Sequence, residues 1–244
     1  MDNINTTSII KWAIIISIPF FLGFTWITLV IHPLYPITEY RKANFPPDLN
    51  FLSEARQQEL GLVPLTQADR LELALVSVAY LESWQSPEDV IWMLDEQVLP
   101  YTGEKLFNER EIGHMIDVKV LTDVIRIVAM ITAVIVIGGL FYLLREHGTR
   151  LEGYRAIFHG GIATTVILVG IAGFILLGWS LFFTQFHELL FPPGTWTFAY
   201  TDGLIRLYPE IFFFDVGVLM SIGSLVLGLI ALFVGRGLVR GYTP

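Results

Sequence analysis

The sequence contains no cysteine. That excludes a disulfide framework, a thiolate nucleophile, an iron–sulfur cluster and a cysteine-ligated zinc. Charge is also scarce: 16% of the 244 residues are Asp, Glu, Lys or Arg, against roughly 25% in a soluble domain. Hydrophobic residues make up 54% of the chain, and its mean hydropathy is +0.61. Lipid is therefore expected to be the main solvent. The net charge of −8 is unevenly distributed, and no nucleic-acid partner is expected.

A membrane-spanning helix needs about 20 mostly apolar residues. The chain supplies four such runs: Trp12–Ile31, Val124–Leu144, Ile162–Phe183 and Phe212–Val234. The first is longer than the apolar core of a signal peptide and is bulky at its outer end (Trp26, Leu29, Ile31). It is expected to be a retained helix. The spans are read as helices without proline breaks, with Gly138, Gly139, Gly170 and Gly173 suited to close helix–helix contact. Arg145, Arg150 and Arg155 crowd the link Arg145–His159, Arg236 and Arg240 follow the last span, and Lys11 precedes the first. The positive-inside rule then places both termini and that link in the cytoplasm. Residues 32–123, with sixteen acidic and seven basic side chains, are expected outside together with residues 184–211. The fold class is all-α: a four-transmembrane-helix bundle with a helical extracytoplasmic segment. Its parts are expected at residues 1–31 (tail and span one), 32–123 (outer segment) and 124–244 (spans two to four).

The outer segment carries helix-start signals. Thr66-Gln67-Ala68-Asp69 resembles a capping box, followed by Leu71, Leu75, Val78 and Ala79 at helical spacing. Ser86-Pro87-Glu88-Asp89 places a serine cap before a proline at the first helical position. A third start at Asn108-Glu109-Arg110-Glu111 meets no stop signal before Leu144, which predicts a helix of roughly 54 Å. Tyr35–Pro47, with three prolines, reads as an irregular link.

Histidine is the residue to follow where cysteine is absent, and there are five. His147 and His159 fall on the cytoplasmic side and His32 at the outer end of span one. His114 and His187 both fall outside, near the membrane surface. His114 shares a helical face with Asp117, Val118 and Leu121, so Asp117 is a candidate to fix its tautomer. His187 lies among Phe182, Phe183, Phe186, Phe191 and Trp196, which read as an interfacial aromatic belt. Polar groups return at Asp202, Arg206, Tyr208 and Glu210. Arg126 and Asp215, at the ends of spans two and four, are expected to pair.

Two stretches carry a family resemblance. The first is Phe107-Asn108-Glu109-Arg110-Glu111-Ile112-Gly113-His114-Met115-Ile116-Asp117-Val118-Lys119. The second runs from Phe186-His187-Glu188-Leu189 through Phe191 and Trp196 to Leu204-Ile205-Arg206-Leu207-Tyr208-Pro209-Glu210-Ile211-Phe212. Together they resemble the bacterial four-span family that includes the lipoprotein intramolecular transacylase. The likeness extends over nearly the whole chain and is loose over residues 32–105. It implies movement of an acyl chain from a diacylglyceryl group to the α-amino group of a lipoprotein's N-terminal cysteine, in the bacterial cytoplasmic membrane. It also implies catalysis by His114 and His187, with Asp117, Glu188, Arg206, Tyr208 and Glu210 supporting the reaction or binding substrate. No cofactor or metal is implied, and the partners are a diacylated lipoprotein and membrane lipid. Histidine can act as base or acid near neutral pH, and the reading makes His114 the base. The alternatives are a non-catalytic accessory subunit of a larger respiratory or photosynthetic complex, with membrane-protein partners, and a bis-histidine haem or chlorin carrier. A transporter is disfavoured by the shortage of charge within the spans.

Overall fold

A computed structural model describes residues 6–242, and its regular elements are helices. In chain order they are α1 (Thr6–Ile31), α2 (Leu34–Tyr40), α3 (Glu54–Glu59), α4 (Gln67–Glu82), α5 (Pro87–Val90), α6 (Trp92–Asp95), α7 (Glu109–Arg145), α8 (His147–Leu177), α9 (Trp179–Leu190), α10 (Gly203–Leu207) and α11 (Glu210–Gly241). Four of them, α1, α7, α8 and α11, are long and apolar enough to cross a bilayer. The protein is a multi-pass, all-α membrane protein.

The three helix starts read from sequence follow from local chemistry. Thr66 and Asp69 form the expected capping box, each side chain accepting the other's backbone N–H. Ser86 accepts Asp89 N–H ahead of Pro87. At the head of α7, Asn108 Oδ1 accepts the N–H groups of Arg110 and Glu111, and Glu111 returns a carboxylate oxygen to Asn108 N–H at 2.8 Å. The helix then runs unbroken for 37 residues.

One interior proline and three boundaries correct the sequence reading. Pro19 lies inside α1, and the helix continues through it. Tyr35–Pro47 is not irregular throughout. Pro36 falls in the first turn of α2, where a missing N–H leaves no intrahelical bond unmade. The expected link Arg145–His159 shrinks to Glu146, whose extended backbone separates α7 from α8. The third run does not reach Phe183 as one helix, because Gly178 leaves the helical conformation and α9 starts afresh at Trp179.

The chain folds as two compact units. The first gathers the chain up to Thr28, Val124–Trp179 and Gly217 onward. Its core holds Ile14, Ile15, Ile18, Val136, Leu143 and Ala156, and Lys11 pairs with Glu152 at 2.8 Å. Of the four expected glycines, Gly139 meets a facing helix, where a Cβ would lie 2.9 Å from Ile14 of α1, and the closest backbone approach is elsewhere. A Cβ on Gly161 would lie 2.3 Å from the Leu232 backbone nitrogen, and one on Gly235 would lie 2.5 Å from that of Phe158. Gly138, Gly170 and Gly173 face open space. Both close contacts lie between α8 and α11. They touch backbone to backbone, as small residues permit in lipid.

The second unit comprises Leu29–Asp123 and Ser180–Val216. Its core is rich in aromatics: Tyr35, Tyr40, Tyr80, Phe107, Tyr208 and Phe212 pack with Leu94, Leu106, Met115, Leu204 and Leu207. The tyrosine hydroxyls are donors to backbone carbonyls: Tyr40 to Leu207, Tyr80 to Met115 at 3.3 Å, Tyr208 to Ala74 at 3.0 Å and Tyr35 to Phe212 at 3.3 Å. A buried ion pair sits in the same unit. Arg206 Nη2 meets Asp48 Oδ2 at 2.7 Å, with side chains 3% and 1% exposed. Arg206 also donates to Val63 O at 2.8 Å, and Asp48 accepts Leu65 N–H at 2.8 Å. The expected Arg126–Asp215 pair is not how Asp215 is satisfied, since its carboxylate binds Lys42 Nζ at 2.6 Å.

Removing one partner of a buried pair strands a charge and costs about 3–5 kcal/mol. Asp48→Asn and Arg206→Gln should each lower the thermal midpoint by several degrees in detergent, followed by tryptophan fluorescence. An unchanged midpoint in either variant would show that the pair contributes nothing net.

Candidate active site

His114 and His187 reach one place from different elements of the second unit. His114 stands in the second turn of α7, just after the capped start at Asn108. His187 stands near the end of α9. Their ring centroids are 6.2 Å apart with planes inclined by 28°. Phe191 lies against both, at 4.8 Å from His114 and 5.5 Å from His187. Phe198 closes on His114 at 5.3 Å. Phe183, Phe186 and Trp196 surround His187 at 4.0, 5.3 and 5.0 Å. The two imidazoles therefore share one aromatic chamber.

The chamber is held by polar contacts on its flank. Glu111, one turn before His114, is 1% exposed. One of its oxygens accepts Leu204 N–H at 2.6 Å and the other accepts Asn108 N–H. That carboxylate ties the start of α7 to the start of α10, and so joins the two sequence motifs. A second tie is Arg110, which reaches Asp202 at 3.2 Å and lies over Phe198 at 5.4 Å. Asp202 also accepts Ala199 N–H at 2.9 Å, which shapes the segment bearing Phe198. Gly203 permits the approach of that segment, because a Cβ there would strike Leu106 O at 2.2 Å.

The histidines differ in their hydrogen bonds. His187 Nδ1 faces Phe183 O at 2.7 Å. A carbonyl only accepts, so Nδ1 carries the proton and the neutral ring keeps its lone pair on Nε2. His114 Nδ1 is buried with no protein partner. His114 precedes the apolar run that begins at Val124, and burial lowers its pKa to about 4, with a smaller contribution from the neighbouring His187. Burial also lowers the pKa of His187, partly offset by its bond to Phe183 O. Low polarity penalises the imidazolium, so both rings are neutral at pH 7.

The five residues expected to support the histidines are placed elsewhere. Asp117 is half-buried on α7, and among the described residues no hydrogen bond joins it to His114. The spacing of three brings it to the same helix side, but the His114 ring turns toward Phe191 and Phe198 instead. Glu188 is exposed and takes Gln185 Nε2 at 2.8 Å. Arg206 and Tyr208 are committed to Asp48 and Ala74 in the core, and Glu210 is exposed in the first turn of α11. Glu111 and Arg110 are the residues that sequence reasoning passed over. The spacing Asn108-x-x-Glu111 is a capping-box signal and identified the helix start, but nothing local indicated that the same carboxylate also reaches Leu204.

Comparison with known proteins agrees with this architecture. The family model for the lipoprotein intramolecular transacylase matches residues 10–213. A protein of Aquifex aeolicus (strain VF5), described only as uncharacterized, is 26% identical over 197 residues, covering 81% of this chain and 79% of its own. The solved structure of the membrane-integral lipoprotein intramolecular transacylase from Bacillus cereus superposes with a TM-score of 0.72 at 21% identity, covering 96% of both chains. A form of that protein with a histidine replaced by arginine gives a TM-score of 0.62 at 21% identity, covering 96% of this chain and 92% of its own. At this identity the superposition speaks for the fold, and the family model speaks for descent. The chain belongs to the lipoprotein intramolecular transacylase family.

Proposed function

We propose that this protein moves one acyl chain from the diacylglyceryl group of a membrane lipoprotein to the α-amino group of its N-terminal cysteine. The observation that carries the reading is the pair of neutral histidines, one from each motif, facing across an aromatic chamber. By the positive-inside rule, both chain termini are cytoplasmic and residues 32–123 and 184–211 lie outside. His114 and His187 then stand at headgroup depth on the outer face, where a lipidated N-terminus lies.

The chemistry follows from the two rings. The substrate amine attacks the ester carbonyl and a C–N bond forms. Its N–H proton passes to His187 Nε2, the nitrogen left free by the bond to Phe183 O. The tetrahedral oxyanion collapses, and the C–O bond to glycerol breaks. The glycerol oxygen takes a proton from the histidine pair, with His114 relaying it. Ester and amide are isomers, so the substrate's mass is unchanged. This assignment reverses the roles read from sequence, because the hydrogen-bonded tautomer belongs to His187 and not to His114. We assign Asp48, Arg206 and Tyr208 to the scaffold. Nucleophile and electrophile belong to one molecule, so holding them together supplies much of the barrier reduction. The aromatic walls suit both the acyl chains and the exclusion of water.

The deciding measurement is mass spectrometry of a lipoprotein's N-terminal peptide from cells that otherwise leave its amine free. With the protein present, fragmentation should place one acyl chain on the amine at unchanged total mass. His187→Ala and His114→Ala should each reduce the product by about 10²-fold or more. An unmodified amine in cells with abundant folded protein would end the transacylase reading.

The neutral state of His114 has its own test. The folded-state pKa lies near 4, below the ordinary 6.5, so the unfolded chain takes up this proton first. The associated stability is complete above about pH 6.5 and is lost as the pH falls toward 4, by at most about 3 kcal/mol. The thermal midpoint of the wild type should therefore fall more steeply between pH 7 and 4.5 than that of His114→Gln. Parallel slopes would mean that His114 is not held neutral.

A further inference from the structure

We propose that the indole N–H of Trp196 is the oxyanion donor of the site. The inference rests on the transacylase reading above and adds a catalytic group to it. Trp196 lies on the segment between α9 and α10, and its ring is 5.0 Å from that of His187, inclined by 34°. Its Nε1 is buried and has no hydrogen-bond partner. A buried donor left unpaired costs about 1–3 kcal/mol, and tryptophan nitrogens usually find an acceptor when buried. Here the ring could have been a phenylalanine if apolar contact were all that was required.

The chamber has few polar atoms. His187 Nδ1 is bound to Phe183 O, which leaves His187 Nε2 for the proton and the unpartnered His114 Nδ1 and Trp196 Nε1. Arg206, the residue whose charge would best stabilise an anion, is taken by Asp48. Arg110 is taken by Asp202. When the amine adds to the ester carbonyl, the carbonyl oxygen gains a full negative charge in a medium of low polarity. An N–H that neither ionises nor transfers its proton suits that moment: it donates a hydrogen bond, and no atom moves between Trp196 and substrate. The bond strengthens as charge develops, so its effect belongs in the rate and not in substrate binding. The backbone that carries the ring is fixed on both sides, by the turn at Gly194, whose φ is +82°, and by the Asp202 bond to Ala199 N–H.

The test replaces only the N–H. Trp196→Phe removes it together with part of the ring. Incorporating benzothienylalanine at position 196 keeps the bicyclic shape and puts sulfur where the N–H was. Transfer would be followed on a synthetic diacylglyceryl-cysteine peptide in mixed micelles, with thermal midpoints alongside. Both variants should lose about 10²-fold or more in kcat, with KM within a few-fold of wild type and no fall in midpoint. Wild-type kcat in the benzothienyl variant overturns the proposal while the transacylase reading stands. So does a loss confined to KM, or one that follows a lowered midpoint. An inactive wild type removes the parent reading, and this one with it.

Discussion

The carboxylate of Glu111 is the point on which the site depends. It is buried, and it is shared between the backbone N–H of Asn108 at the head of α7 and that of Leu204 at the head of α10. Burial raises its pKa, while the two N–H bonds pull it back down. A buried carboxylate is tolerated only where its lone pairs are used, and here each oxygen is bonded to a backbone donor. His114 follows within one turn of Glu111. The segment that carries Phe198 and Trp196 ends where Leu204 begins. Fixing those two backbone positions fixes the walls around both imidazoles.

Around that point the protein handles charge in two ways. In the scaffold, three carboxylates each meet a cation: Asp48 with Arg206, Asp215 with Lys42, Asp202 with Arg110. The chamber is lined by two neutral imidazoles and by aromatic rings. Keeping carboxylates paired elsewhere lets burial hold the imidazoles unprotonated, as a base acting on an amine requires. The aromatic surroundings that lower the histidine pKa values are the same surroundings that an acyl chain would contact. One set of side chains thus sets both the electrostatics and the shape.

Much of this was legible in the sequence, for reasons that can be named. The four long apolar runs, the caps at Thr66, Ser86 and Asn108 and the uninterrupted length of α7 all arise from local physics, which a linear reading captures. The pairing of His114 with His187 followed from the motifs, and the structure does bring the rings together. Among the described residues no hydrogen bond joins the expected supporting residues to either histidine, and two of them were read from proximity along the chain. Asp117 is three residues from His114 and Glu188 is adjacent to His187, yet the His114 ring packs on Phe191 and Phe198, and Glu188 bonds Gln185. Arg206 and Tyr208 were chosen for their chemistry, but Asp48, 158 residues from Arg206, and Ala74 had already claimed them. The glycines were read in the same linear way, and of the four named Gly139 alone meets a facing helix. Which of them meets a facing backbone depends on the face that α8 and α11 present, which composition does not tell.

The tyrosines carry a consequence for how such a protein can drift in evolution. Tyr35, Tyr40, Tyr80 and Tyr208 all direct their hydroxyls to main-chain carbonyls. Glu111 binds main-chain N–H groups in the same manner. Every residue but proline offers both groups and even proline keeps the carbonyl, so each bond constrains the identity of one side only. Phe212, Leu207, Met115 and Ala74 can be replaced by other residues of suitable size without breaking the bond they receive. A fold fastened by one-sided contacts can lose most of its pairwise identities and keep its backbone course. That is the pattern seen here, with a fifth of the residues shared and the helices superposed over nearly the full length of both chains.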